Sequence, residues 1–431
     1  MNWITRLFPF LLWIKDLSNP KNLKADILAG TTVAFVIIPQ SMAYAELAGL
    51  PPQIGLFASA LPPIFAAFVA SSPYLQTGPV ALTSLLTLGA LNGLADSGTS
   101  HYVELAALLA LIVGISRLLF GVLKMGKIVY LMNTPVVTGF TSAAAILIIA
   151  SQIPQSLGNE TAVNGTLNRA YKSLTGVENW ELESLFLSGI TIFLVIAGKH
   201  IHRLFPGALF VLVGGSMYSH LADYKGPVVG EIPTGMPSLG FDLPWSSIDE
   251  LLLSGIVIAL IGFAEPASIS RIFASQENQK WSANREFLSQ GLANVASAFS
   301  GALPVGGSFS RSSLNKLSGA QSKWSGLITG VVVCIFLPFA NILDRLPEAT
   351  LGAVVIAAVT GLIRPKKLLF SIRDSASDGF ITWSTFIATL ILSPHVERGV
   401  LVGIGISIPV SYTHLRAHET DSYLVCRLLL E

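Results

Sequence analysis

The chain has 431 residues, of which 52% are hydrophobic and only 12% charged. Soluble domains carry about 25% charged residues, so a water-soluble globule of this size is excluded. A net charge of +1 without a basic cluster gives no hint of a nucleic-acid partner, and none is expected. Two cysteines, Cys334 and Cys426, without zinc spacing exclude a disulfide framework.

Along the chain, residues 1–25 form an N-terminal cytoplasmic or interfacial segment. Its apolar stretch from Leu7 to Ile14 is broken by Pro9 and lacks a small-residue cleavage site. It is read as an amphipathic helix on the membrane surface, not as a signal peptide. Stretches with the length and apolarity of a bilayer span follow at 26–48, 52–71, 79–95, 102–122, 128–150, 183–199, 206–221, 250–270, 286–302, 309–320, 325–343, 349–363, 377–393 and 396–410. With the N-terminus in the cytoplasm, alternation places seventeen Lys and Arg residues inside and five outside, which follows the positive-inside rule. The fold class is therefore an all-α polytopic membrane protein of about fourteen segments. The residues from 152 to 182 and from 222 to 249 read as long outside loops, the first with glycosylation acceptor patterns at Asn159 and Asn164.

Fourteen segments divide into seven plus seven, residues 26–221 and 250–408, and an odd number inverts the second copy. The two weakest spans, 79–95 and 309–320, are the third of each half. Each is short, rich in Gly, Ser and Thr, and preceded by an extended Pro/Gly piece. Broken segments at matching places point to a midplane binding site in an inverted-repeat transporter.

Polar groups within spans are costly and each needs a reason. Gln40 and Tyr44, four residues apart, share a helix face that lines a substrate cavity or makes an interhelical hydrogen bond. Pro79 suits the first position of a helix starting in mid-membrane beside Thr77 and Gly78. In the second half, Pro304 to Ser313 repeats the device, with Ser308 or Ser310 as the cap. Two facing helix N-termini bind an anion without a dedicated side-chain charge. Arg311 adds a full positive charge, whose partner is the anion or Glu265. Glu265 itself is either a proton-loading carboxyl or a permanently ionised partner of Arg311. Arg117 is expected to snorkel to the cytoplasmic interface. His200 and His202 lack further metal ligands, and no zincin motif, nucleophile elbow, Walker loop or dinucleotide fingerprint occurs. Neither an enzyme, a cofactor nor a metal is expected.

At these residues the sequence resembles the sulfate permease (SulP) family of anion transporters. The resemblance rests on Pro39-Gln40-Ser41-Met42-Ala43-Tyr44-Ala45-Glu46 and its continuation to Phe57, on Thr77-Gly78-Pro79-Val80-Ala81, and on Gly307-Ser308-Phe309-Ser310-Arg311-Ser312. It implies a core domain of helices one to four and eight to eleven, moving against a gate domain of the rest. It implies anion contact near Gln40, Tyr44, Gly78, Val80, Ser310 and Arg311, with Thr77, Ser308 and Phe309 beside them, and a proton-coupling role for Glu265. The implied activity is proton-coupled uptake of a small oxyanion, sulfate first, across a plasma or inner membrane. Bicarbonate, dicarboxylate and chloride transport, or an anion channel, are the rivals, and a homodimer is left open. After Ile408 the pattern is lost abruptly. Residues 409–431 are expected to be foreign to this fold, the natural protein continuing with apolar residues and the family's soluble regulatory domain.

Overall fold

The computed structural model describes residues 19–127, 134–159, 163, 165–201, 207–237, 239–240, 243–363, 365–407 and 409. The expected surface helix at 7–14, the acceptor Asn164, His202 and residues 410–431 lie outside these.

Among the described residues the first half comprises α1 (Pro20–Leu47), α2 (Pro52–Val69), β1 (Thr77–Gly78), α3 (Ala81–Leu91), α4 (Ser100–Val122), α5 (Thr134–Ser156), α6 (Thr166–Thr175), α7 (Leu182–Ile201) and α8 (Gly207–Leu221). The second half comprises α9 (Ile248–Gln276), α10 (Ala283–Phe299), β2 (Gly306–Gly307), α11 (Phe309–Leu317), α12 (Trp324–Phe336), α13 (Glu348–Val359), α14 (Pro365–Asp374), α15 (Ala376–Ile391) and α16 at 396–407. Leaving aside the short α6 and α14, the helices fall where the fourteen spans are predicted. Six helical stretches, built on α1, α2, α4, α5, α9 and α12, are long and apolar enough to cross a bilayer unaided. The protein is an integral membrane protein with the polytopic, all-helical fold that its composition demands, because only internally bonded backbone survives in lipid.

Three local readings differ. The fifth helix runs on to Ser156, six residues beyond the predicted 150, and the first of the two predicted long loops contains α6, a short amphipathic helix. Pro79 does not open α3. Val80, in extended conformation, occupies the N-cap and the helix starts at Ala81. Three helix starts are set by side-chain oxygens: Asn19 accepts from Lys21 N (3.1 Å), Thr99 from Tyr102 N (3.3 Å) and Ser282 from Arg285 N (3.4 Å).

Packing separates two groups. α1 to α4 contact one another and α9 to α12, whereas α5, α7 and α8 pack with α13 and α15. Small residues allow the closest approaches. A Cβ on Gly114 of α4 would lie 2.8 Å from Val295 N of α10, and one on Gly291 of α10 would lie 2.9 Å from Leu118 N of α4. Asp26, buried in α1, ties the halves together by accepting from Gln321 N (2.8 Å) and Ser322 N (3.0 Å) just before α12. α1 also meets the second group, through α13, α8 and α5. There Gln155 of α5 donates to Glu46 Oε2 (2.9 Å) and Glu348 Oε2 (3.4 Å).

Candidate anion-binding site

The two broken spans meet. β1 and β2 pair antiparallel, with Thr77 opposite Gly307 and Gly78 opposite Gly306, so the matching extended pieces of the two halves join inside the bundle. α3 and α11 leave this ladder, and neither N-cap residue, Val80 or Ser308, makes a side-chain cap bond. Ser308 holds the predicted cap position, but its hydroxyl lies 3.4 Å from the Ser310 hydroxyl instead. Glu265 of α9 takes that place: Phe309 N, in the first turn of α11, donates to Glu265 Oε1 (3.2 Å). A carboxylate is a better complement to a helix N-terminus than a hydroxyl, because it meets the partial positive charge there.

Arg311 is fully buried in α11. Its Nη1 donates to Gln40 Oε1 of α1 at 3.5 Å, a long bond. Its Nε and Nη2 have no hydrogen-bond partner among the described residues. Gly78 adjoins the same guanidinium. A Cβ there would stand 2.7 Å from Ile37 Cδ1 and 3.5 Å from Arg311 Nη2, and its φ of +153° strains any L side chain. Tyr44, Glu265 and Arg311 lie within electrostatic reach of one another. The structure thus brings Gln40, Tyr44, Gly78, Glu265 and Arg311 together. Val80 is buried at the start of α3, while Phe309 and Ser310 are exposed. The Thr77 hydroxyl is already engaged, accepting from Gln290 Nε2 of α10 (2.8 Å).

Several residues behind the ladder were not singled out in the sequence. Asn294 of α10 accepts from Val305 N (2.9 Å) and donates to Val305 O (3.0 Å), a two-way clamp on the segment leading into β2. Gln76 N donates to Ser312 Oγ (2.9 Å), and Ser308 N to Gln76 O (3.1 Å). The signal was present in α10: Glu286, Gln290, Asn294 and Ser297 recur at helical spacing, and all are fully buried.

Arg117 overturns its reading. It does not snorkel to the interface but is fully buried. It donates from Nη1 to Val305 O (2.8 Å), from Nε to Ala259 O (3.1 Å) and from Nη2 to Ile258 O (3.4 Å). Gly262 on α9 leaves the space it needs, since a Cβ there would lie 2.6 Å from Nη2. The extended segment before β2 offers a carbonyl that no helix uses, and the inward face of α4 aims the side chain at it.

A family model described as the sulfate permease family matches residues 23–385. The chain belongs to the sulfate permease family. It is 35% identical over 419 residues to "Sulfate transporter 4.1, chloroplastic" of Arabidopsis thaliana, covering 95% of this chain and 61% of that protein. It is 32% identical over 411 residues to a probable sulfate transporter of Mycobacterium tuberculosis, covering 93% of this chain and 72% of that one. The chain thus spans about three fifths of the first of these family members. The murine Solute Carrier 26 family member A9 anion transporter, in its inward-facing state, shares the fold with a TM-score of 0.86 at 21% identity, covering 96% of this chain and 72% of that one. The transmembrane domain of a cyanobacterium bicarbonate transporter, BicA, does so with a TM-score of 0.78 at 23% identity, covering 88% of this chain and 98% of that one.

Proposed function

We propose that this sulfate permease family protein is a secondary active transporter that takes up a small inorganic oxyanion, sulfate first, together with protons. The observation that carries the reading is Arg311. A buried guanidinium with two donor nitrogens unengaged among the described residues, set where two helix starts converge, is built to be completed by an anion. The Arabidopsis and mycobacterial relatives carry sulfate in their names, which favours sulfate among small oxyanions.

Coupling to protons follows from Glu265. Its carboxylate holds the Phe309 amide at the helix start where an anion would bind. Ionised, it repels the anion and competes for that amide. Protonated, it loses its charge and leaves Arg311 and the helix termini to the substrate. Proton and anion then bind with positive cooperativity, and the linkage is reciprocal. The packing group of α1 to α4 with α9 to α12 serves as the anion-carrying core, and the group of α5, α7, α8, α13, α15 and α16 serves as the gate. Movement of one against the other gives alternating access. The N-terminus lies in the cytoplasm, in a plasma or inner membrane, and no nucleic acid is involved.

Uptake of radiolabelled sulfate into proteoliposomes at two external pH values tests this. Wild-type protein accumulates sulfate faster at the acidic value. Glu265→Gln keeps sulfate exchange but loses the acid stimulation, the ratio of the two rates falling to about one, as expected when the titrating competitor is removed. Full pH dependence in Glu265→Gln removes Glu265 from coupling.

A further inference from the structure

Resting on the reading above, we propose that Arg117 is a positioning residue of the anion site, which fixes the strand carrying Gly306 and supplies a second buried positive charge that favours dianions over monoanions. Arg117 sits outside the motifs that define the site, one helix layer behind them. Three observations assign it this role. All three of its bonds go to backbone carbonyls, of Val305, Ala259 and Ile258, so its charge is solvated but not neutralised. Among the described residues no carboxylate pairs with it. And its acceptor Val305 immediately precedes Gly306, the residue paired with Gly78, which adjoins Arg311.

The other buried acids of the core group, Asp26 and Glu286, bond away from Arg117 and from the ladder. Asp26 accepts from Gln321 and Ser322 before α12, and Glu286 accepts from Ser72 N (2.9 Å) and Trp281 Nε1 (3.0 Å). The charged side chains that reach the ladder segment itself are Arg117 at Val305, Arg311 beside Gly78 and Glu265 at the first amide of α11. With Glu265 ionised these three groups sum to +1, and with Glu265 protonated to +2. A divalent oxyanion entering with one proton balances that sum. A monoanion leaves a positive charge uncompensated in a low-dielectric interior, where an unpaired ion is unfavourable.

Adjacent strands stand about 4.8 Å apart, which puts Arg117 on the order of 10 Å from an anion held by Arg311. At an effective dielectric constant of about 20, loss of one unit charge at that distance weakens monoanion binding by about tenfold. Because the interaction scales with ligand charge, dianion affinity falls by the square of that factor, about a hundredfold. A residue that merely holds the fold has no reason to obey this square relation.

The experiment compares sulfate and chloride binding to purified full-length protein by calorimetry for wild type, Arg117→Gln, Arg117→Lys and Gly262→Ala. Arg117→Gln should lower sulfate affinity by roughly the square of its effect on chloride, while Arg117→Lys keeps most of the sulfate preference. Gly262→Ala, which crowds the guanidinium from the opposite helix without removing charge, should weaken both anions by similar factors. Equal losses for both anions in Arg117→Gln, or no loss for either, overturn the proposal. If Arg117→Gln does not fold, Arg117→Lys decides: a retained sulfate-to-chloride ratio supports the role of charge, and a ratio lost with the charge kept overturns it. Wild-type protein that binds neither anion overturns the transport reading and this role with it. Wild-type binding with an unaltered ratio in Arg117→Gln sinks the role of Arg117 alone.

Discussion

The two half-helix starts share one architecture and divide the chemistry unequally. In the first half, Thr77 to Val80 carries no charge and its glycine faces the guanidinium of the other half. In the second, Ser308 to Arg311 carries the buried cation, and α9 brings Glu265 to its first amide. The ladder between them makes one surface of the two. Repeat symmetry therefore supplies converging helix termini, and the departure from symmetry supplies the charge. A site built from two identical neutral starts attracts any anion weakly. On the anion-binding reading proposed above, one charged start and one close-fitting start give strength and selectivity to different halves, and each can be altered separately.

Removal of the charge has the largest expected effect. Arg311→Ala should lower the rate of concentrative sulfate uptake by about a hundredfold, since it deletes the central charged donor of a desolvated site. Fluorescence size-exclusion should show a folded, monodisperse protein. Uptake within threefold of wild type would make the two halves equivalent after all. Next comes the close fit on the neutral side. Gly78→Ala keeps every charge but puts a Cβ against Ile37 and toward Arg311 at a backbone conformation that disfavours it. The strain is about 1–3 kcal/mol, and displacement of the guanidinium should lower uptake by about tenfold. Wild-type uptake by Gly78→Ala would show that the first start is only a spacer.

How far this division was legible in the sequence depends on the kind of signal. The spans were visible because lipid demands long apolar runs, and the broken third span of each half was visible because Pro and Gly interrupt those runs. Arg311 and Glu265 stood out because charge is rare in such segments. Arg117 stood out too and was misplaced: position along α4 says how far it lies from the helix end, but not that the Gly262 gap and the Val305 carbonyl face it. The exchange of the cap from Ser308 to Glu265 was likewise invisible, since it joins residues 44 apart in sequence. Gln290 and Asn294 lay on a readable polar stripe, yet a stripe does not name its partners.

Those two residues give the finest test, because they support the two starts from one helix. Asn294 satisfies both backbone groups of Val305, while Gln290 gives one bond to the Thr77 hydroxyl and leaves its own Oε1 without a partner among the described residues. Asn294→Ala orphans the buried Val305 N–H, at a cost of about 1–3 kcal/mol, although Arg117 still serves the carbonyl. Gln290→Ala removes one neutral bond worth about 1 kcal/mol and at the same time removes an unpaired buried oxygen, so the two changes largely cancel. The expected order of thermal midpoints in detergent is wild type, then Gln290→Ala close behind, then Asn294→Ala several degrees lower. That order would show that the charged start depends on a rigid backbone clamp and the neutral start does not. A midpoint for Gln290→Ala below that of Asn294→Ala would reverse this assignment and place the rigid anchor on the first half.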